Sequence, residues 1–405
     1  MARAKPPLEH SLLYTATLCL FAAGAVMVYS ASSAESLLGP QGDPSYFLKR
    51  YLLFGALGLL ALHFLSRHGL ALVRRATGPL LAVSFGLTVA VMVPGIGVSV
   101  NGATRWIGAG PLQFQPSEIL KVALVLWAAQ VLASRPGCVK SVGTLFRPLL
   151  TVVAVACALL MAQPDMGTSM VICFALAALL VAAGTPLRIL LRLGGGLAAL
   201  ALVLALAEPY RRERLTAFLD PWSDAGDTGF QAVQAMIAIG SGGLFGVGLG
   251  ESVQKIFYLP EAHTDMILAI IGEELGLVGI AGLVALYGII GYAGLRTAKA
   301  ARDRHAKLLA TGITSLVLCQ AVLNFFAVMG MAPLTGVPLP LISYGGTNMI
   351  VLLGAMGILL DIASGRGKTR LRALDGGRDA TDRDRGRRDG GARRARAGHS
   401  RRAAG

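Results

Sequence analysis

The chain has 405 residues, of which 54% are hydrophobic and 15% are charged, and its mean hydropathy is +0.64. This composition is too apolar for a soluble protein of this size. Apolar runs long enough to cross the roughly 30 Å hydrocarbon core recur along the chain, which indicates a polytopic membrane protein. The five cysteines show no paired spacing, so the sequence predicts neither a disulfide framework nor a cysteine metal site.

We predict an all-α fold with ten transmembrane helices, at residues 11–30, 48–66, 76–94, 117–134, 147–162, 167–184, 188–207, 264–294, 307–330 and 346–364. The first run follows Arg3 and Lys5 and lacks a clear cleavage site, so we expect a retained helix. An even number of helices puts both termini on one side. The loops on that side carry roughly twice as many Lys and Arg as the others, which makes both termini cytoplasmic.

The first polar segment on the outer face is NGATRWIGAGPLQFQPSEILK, residues 101–121. Pro116 suits the first turn of a helix. Glu118 and Lys121, three residues apart, share one helix face just inside the membrane. A local ion pair would explain those two residues, and an interfacial anchor would explain Arg105 beside Trp106.

A short turn at residues 163–166 carries one carboxylate, Asp165, at the same face. Asp165 could cap the next helix through the backbone amides near Thr168. It could also belong to a site that faces outward.

Residues 208–263 form a predicted large extracellular loop between the seventh and eighth helices, and loops of this length are usually functional. Arg211, Arg212 and Arg214 follow the seventh helix. Residues 230–239 have a weak amphipathic pattern, which suggests a short helix lying on the bilayer. The glycine-rich residues 240–250 lack the spacing of a dinucleotide-binding loop.

The stretch from residue 258 to 282 turns from an acid-rich loop into a long apolar helix, and carries Glu261, His263, Asp265, Glu273 and Glu274. Ionisable groups in or near a bilayer are costly, so they indicate a functional site. We expect Asp265 at the lip of a polar cavity, with Glu273 about 12 Å deeper on the same helix. Glu273 and Glu274 are expected to be hydrogen-bonded or paired, and a helix cap is the alternative for Asp265.

Residues 331–345 form an uncharged loop rich in Pro and Gly, on the same outer face. The carboxylates and cations of the segments described above are thus expected to converge on this outer face. This combination suits a reaction in which an acid takes a proton while cations hold a phosphate.

The sequence divides into a transmembrane domain, residues 1–365, and a basic tail, residues 366–405. The tail is rich in Gly, Ala and Arg and is predicted to be disordered and cytoplasmic. Anionic lipid headgroups are its expected partner, and nucleic acid is not.

Six segments in chain order resemble the SEDS family (shape, elongation, division and sporulation) of peptidoglycan glycosyltransferases. They are VYSASS (28–33), NGATRWI (101–107), FQPSEILK (114–121), AQPDMGT (162–168), YLPEAHTDMILAIIGEELGLVG (258–279) and GVPLPLISYGGTN (336–348). SVQKIFYLPEAHTD resembles the division branch, FtsW, more than the elongation branch, RodA.

The resemblance implies an enzyme of the cytoplasmic membrane that polymerises lipid II, the undecaprenyl-pyrophosphate-linked disaccharide-pentapeptide, at the outer face, for septal synthesis in cell division. It implies Asp265 as the catalytic general base of an inverting glycosyl transfer. It also implies substrate contacts from Arg105, Trp106, Glu118, Lys121, Asp165, His263 and Ser343. A class B penicillin-binding protein and other division proteins are the expected partners.

No nucleotide cofactor is expected, because the donor is carried on a lipid. The pyrophosphate needs cationic neutralisation, from Arg or Lys or from a bound Mg²⁺ or Mn²⁺. The metal ligands are not identified by the sequence. Two other functions fit a polar cavity in a membrane protein: a lipid II flippase or transporter, and a non-catalytic scaffold for division enzymes.

Overall fold

The computed structural model describes residues 6–100, 103–109, 112–207 and 217–365. These residues are mostly helical, and eight of their helices are long and apolar enough to cross a membrane. The helices are α1 (Leu8–Leu38), α2 (Tyr46–Ala90), α3 (Pro116–Ser134), α4 (Val142–Ala162), α5 (Met166–Ala183), α6 (Leu187–Ala207), α7 (Phe230–Gly242), α8 (Ile267–Ala300), α9 (Arg304–Val328) and α10 (Gly346–Ser364). The eight candidate spans are all of these except α6 and α7.

The second and third predicted spans both lie in α2, which is helical over 45 residues. Nevertheless, the contacts of α2 move from one end of the bundle to the other and then back. Tyr51 donates to the carbonyl of Leu341, before α10; the amide of Leu70 donates to Asp361, near the other end of α10; and the carbonyl of Thr88 accepts from Gln163.

The turn at Gln163 is back at the end of the bundle where α2 begins, because Gly167 packs against Thr335, in the same loop as Leu341. We call this end, which also carries Asp265, the Asp265 end. A straight helix cannot leave it and return, so α2 turns back near Leu70. The total of ten spans stays a prediction.

A small antiparallel sheet in the order β1-β2-β3 lies between α2 and α3, where we predicted only a loop in an all-α fold. Its strands are Gly97–Val100, Ala103–Ala109 and Leu112–Phe114. Val98 faces Trp106 across the first pair. Alternating β-branched, aromatic and polar residues favour such strands, and this two-residue period was missed.

Helix α9 lies at the centre of the bundle and packs against α3, α5 and α8. Gly312 of α9 allows the side chains of Val125 (α3) and Leu179 (α5) to approach its backbone closely. Most of α9 is buried, including Gln320 and Asn324. The centre of the bundle therefore contains polar side chains as well as an apolar core.

The predicted continuous eighth helix is wrong in one respect: α8 is broken at Gly276, which has φ 66° and ψ −162°. Glu35 and Ser30, roughly 7.5 Å apart along α1, contact His263 and Glu274 respectively. The segment from His263 to Glu274, which leads into the break, is therefore held against α1 at both of these positions.

The glycine-rich loop after α7 satisfies the backbone at this break. The amides of Val247 and Gly248 donate to the carbonyls of Glu273 and Glu274. In return, the amides of Leu277 and Val278 donate to the carbonyls of Gly243 and Leu244. These bonds replace helical ones that the break removes.

Helix α7 exists where a short helix was predicted, but it does not simply rest on a bilayer. Val233, Ala235 and Ala238 are buried, and α7 packs against α8 and α9. Its weak amphipathic pattern thus reflects packing within the protein. Arg211, Arg212, Arg214 and the basic tail 366–405 lie outside the described residues, and the two-part domain division stays a prediction.

Candidate active site

Residues 331–345, here called the central loop, bring the predicted site segments together. Four side chains donate hydrogen bonds to its backbone carbonyls: Asn324 to Val337, Gln320 to Pro338, Tyr287 to Pro340 and Tyr51 to Leu341. They come from α2, α8 and α9. The second half of the central loop, residues 337–343, is therefore a hydrogen-bonded and mostly buried part of the bundle.

Asp265 lies against the central loop. Asn324 Nδ2 donates to the backbone carbonyl of Asp265 at 2.7 Å and to that of Val337 at 2.8 Å. Thr264 Oγ1 lies 3.3 Å from Asp265 Oδ1, and a side chain at Gly336 would contact Oδ2. Asn324 thus fixes the backbone of Asp265, and the residue as a whole is partly exposed.

Glu118 and Lys121 form the predicted ion pair, with 2.9 Å between Oε2 and Nζ. Both side chains are buried, with Lys121 only 1% exposed. Lys121 also donates to Gln320 Oε1 at 2.8 Å, and Gln320 donates in turn to Pro338. The pair is therefore the local ion pair that the sequence offered as one alternative. Through Gln320 of α9, it also connects α3 to the central loop.

Asp165 caps α5, because its Oδ1 accepts from the backbone amide of Thr168 at 3.1 Å. This helix cap was one of the two alternatives predicted for Asp165. Its Oδ2 lies 3.5 Å from Gln115 Nε2, and the amide of Gln115 donates to Thr347 at 3.0 Å. Asp165 is 4% exposed. In this arrangement it fixes the start of α5 beside α3 and α10.

Arg105 and Trp106 lie on β2 and are both half-buried. Arg105 Nε donates to the carbonyl of Gln163 at 2.9 Å, and its Nη2 bonds to that of Pro164. The guanidinium thus connects the sheet to the turn that carries Asp165. Trp106 lies opposite Val98.

His263 packs among aromatic rings, with its centroid 4.1 Å from Phe47 and 5.7 Å from Tyr344. Its Nδ1 lies 3.4 Å from Glu35 Oε2. Ser343 is 2% exposed, and its hydroxyl accepts from the amide of Leu339 at 2.8 Å. Ser343 thus stabilises a turn within the central loop and is not on its surface.

Glu273 and Glu274 are buried and partnered, as expected. Lys255 Nζ lies 2.8 Å from Glu274 Oε1, and Ser30 donates to the same carboxylate at 2.7 Å. Glu273 accepts from Ser252 Oγ at 2.5 Å and from the amide of Val253 at 3.0 Å. These contacts fix the loop before Asp265 to α8 and α1.

Three important residues were not among the predicted site residues: Gln320, Asn324 and Lys255. Gln320 and Asn324 are four residues apart on α9, so they share one face of an otherwise apolar helix. Polar residues inside a membrane span signal function or pairing. That spacing could have identified Gln320 and Asn324. Lys255 could not be found in this way, because its pairing with Glu274 depends on the break in α8.

The charges near Asp265 are largely compensated within the protein. Lys121 and Lys255 are each paired with a buried carboxylate. In the described part of the chain, no group of three or more His, Cys, Asp or Glu side chains could hold a metal ion. A surface pocket lined by Ala217, Phe218, Gln231, Gly330 and Leu334 includes none of the predicted site residues.

Comparisons with known proteins cover nearly the whole chain. The family model for FtsW, RodA and SpoVE, described as "Cell cycle protein", matches residues 10–368. The chain is 42% identical over 344 residues to a probable peptidoglycan glycosyltransferase FtsW of Trichlorobacter lovleyi, covering 84% of this chain and 90% of the relative. It is 38% identical over 353 residues to stage V sporulation protein E of Bacillus subtilis, covering 87% and 96%.

Two solved structures share this fold. One is described as "Structural coordination of polymerization and crosslinking by a peptidoglycan synthase complex", with a TM-score of 0.71, 31% identity, and coverage of 87% of this chain and 97% of that one. The other is the rod shape determining protein RodA of Thermus thermophilus, with a TM-score of 0.63, 30% identity, and coverage of 87% and 96%. The family match includes every predicted site residue.

Proposed function

The chain belongs to the family of cell cycle proteins that includes FtsW, RodA and SpoVE, and on this premise we propose that it is a peptidoglycan glycosyltransferase that polymerises lipid II during cell division. The names of several relatives support this activity. One observation in the site carries it. Asp265 is a partly exposed carboxylate on a fixed backbone, whereas Glu118, Asp165, Glu273 and Glu274 are buried.

In this mechanism Asp265 is the general base. It takes the proton from the 4-hydroxyl of the acceptor GlcNAc, and that oxygen forms a bond to the anomeric carbon of the donor strand. The bond from this carbon to the pyrophosphate breaks, and undecaprenyl pyrophosphate leaves with the electron pair. Attack from the face opposite the leaving group inverts the anomeric configuration.

The other predicted site residues then have supporting roles. Arg105 and Trp106 lie half-exposed on the sheet and contact substrate at the site's edge. Glu118, Lys121, Asp165 and Ser343 are buried and hold the walls around Asp265. His263, packed at a tilt against Phe47, positions the segment that leads into Asp265.

A Mg²⁺ or Mn²⁺ ion would neutralise charge on the pyrophosphate, but the described side chains do not form a three-ligand site. Such an ion would take most of its ligands from substrate phosphates and water, as hard cations allow.

The chain crosses the cytoplasmic membrane ten times, with both termini cytoplasmic and the Asp265 end facing outward. The reversal of α2 near Leu70 supports two crossings within that helix, and α6 supplies a further one. A class B penicillin-binding protein is the partner that crosslinks the strand. The solved peptidoglycan synthase complex supports this pairing, and the basic tail binds anionic lipids.

The proposal is tested by incubating the purified chain with labelled lipid II and a partner penicillin-binding protein whose transpeptidase is blocked by a β-lactam. Glycan strands resolved as a ladder on a gel are the expected product. A parallel assay follows lipid II across vesicle membranes. Transport without any ladder would instead identify a flippase, and neither activity would identify a scaffold.

A further inference from the structure

The segment after α7 exposes large apolar side chains although it is not helical. Phe245 is 80% exposed, and five more are more than half exposed. We call these six residues the apolar collar: Leu244, Phe245, Leu249, Val253, Phe257 and Tyr258. An exposed apolar patch of this kind indicates a contact with a membrane or a partner.

The position of the collar along the membrane normal can be read from its contacts with α8. The carbonyls of Leu244 and of the adjacent Gly243 accept from the amides of Val278 and Leu277 of α8, and Leu277 and Val278 are themselves exposed. The uncharged run of α8 from residue 275 to 295 is roughly 30 Å long, which matches the hydrocarbon thickness of about 30 Å. Leu277 and Val278 therefore mark the edge of the hydrocarbon at the Asp265 end, and the collar adjoins it.

The chemistry of the collar also fits this level. From residue 230 to 258 the only charged residues are Glu251 and Lys255, and Lys255 is buried against Glu274. Amides of Val247 and Gly248 are satisfied by α8, so this part of the segment presents side chains and not open backbone groups. By contrast, residues 220–227 of the same long loop carry three exposed aspartates.

We propose that the apolar collar inserts into the lipid at the membrane interface of the Asp265 end, beside α8. Apolar side chains at this depth lie in the boundary between headgroups and acyl chains. The occupant is bulk lipid, because the collar continues the exposed apolar surface of a membrane-spanning helix. This contact fixes the height of the segment that leads to Asp265, and it does not depend on the proposed reaction.

The test places a single cysteine at Phe245 in a variant of the full chain whose five native cysteines are replaced. The cysteine carries an environment-sensitive fluorophore, and the protein is reconstituted in phosphatidylethanolamine and phosphatidylglycerol vesicles. Doxyl-labelled lipids quench from within the bilayer, and iodide quenches from water.

Two further single-cysteine variants are the controls. Val284→Cys, on the exposed face of α8, is the lipid control. Ser223→Cys, in the acidic part of the loop, is the aqueous control. Unchanged thermal unfolding verifies that each variant is folded.

The expected result is doxyl quenching at Phe245 within about twofold of that at Val284, with iodide quenching at least about threefold weaker than at Ser223. A shallow doxyl group should quench the Phe245 label more than a deep one, and the reverse should hold at Val284. Leu249→Cys should repeat the Phe245 result. Iodide quenching equal to that at Ser223 would overturn the proposal, and so would protection from both quenchers, which would indicate burial against a second copy of the chain or within the chain itself.

Discussion

At the scale of single residues, burial separates acids that the sequence treats alike. Asp165 and Asp265 are both lone aspartates at the start of a predicted helix. In the structure Asp165 is buried and caps α5, whereas Asp265 is partly exposed beside the central loop. The sequence predicted that these acids converge. It did not predict their degree of burial, which depends on contacts with helices distant in the sequence, such as the contact of Asn324 with Asp265.

The Glu118–Lys121 pair gives a prediction at this scale. Lys121→Met leaves a buried, uncompensated carboxylate, which should lower the free energy of unfolding by about 3–5 kcal/mol. Thermal and denaturant unfolding in detergent would measure the loss. The matched control is Lys49→Met, which removes the exposed pair with Asp43 and should cost less than about 1 kcal/mol.

The double variant Glu118→Leu with Lys121→Met separates stability from activity. Replacing both charges should restore most of the lost stability, because buried ion pairs are often no better than apolar packing. Polymerisation should stay impaired, since Lys121 also orients Gln320 toward the central loop. A fully active double variant would show that the pair serves stability alone.

At the scale of elements, the apolar runs predicted both ends of α3, α5, α6, α9 and α10 to within three residues, whereas α1 and α8 extend further than predicted. The sheet and the break in α8 were not predicted. The strands are short, and their alternating pattern was missed inside a segment predicted to be a loop between helices. The break at Gly276 is stabilised by hydrogen bonds from the glycine-rich loop more than twenty residues earlier, and a local pattern does not report such a partner.

Gly276→Ala tests the break directly. At φ 66° and ψ −162° this position lies in a backbone region that only Gly adopts readily, which costs an L-residue about 1–3 kcal/mol, and a Cβ would collide with the backbone of Gly246 and Leu244. We therefore expect a lower melting temperature and weaker polymerisation. Gly282→Ala is the control in the same helix, because nothing lies near its Cβ position, and it should be neutral or stabilising by up to about 1 kcal/mol. Equal melting temperatures for the two variants would argue against the break.

At the scale of the whole molecule, the central loop organises the Asp265 end. Six motifs far apart in the sequence suggested a shared site through their resemblance to one family. The structure gives the physical reason, because helices α2, α8 and α9 all donate hydrogen bonds to the same loop. The sequence showed only that this loop is uncharged and rich in Pro and Gly.

The reversal within α2 predicts the membrane topology around it. Cysteines placed at Gln41 and Ser99 should react with a membrane-impermeant maleimide on intact spheroplasts, in the cysteine-free background. A cysteine at Arg67 should react only after lysis, because it lies near the turn at the opposite end. If the Arg67 and Ser99 positions reacted alike, α2 would not cross twice.

The central claim is that Asp265 is the base of a glycosyl transfer, and the most direct measurement is lipid II polymerisation by Asp265→Asn. The substitution keeps the shape of the side chain and removes its ability to take a proton, so we expect strand synthesis to fall by about 10²–10⁴-fold at an unchanged melting temperature. Asp43→Asn, at an exposed acid paired with Lys49, should polymerise normally. Strand synthesis by Asp265→Asn at the rate of the Asp43→Asn control would contradict the account.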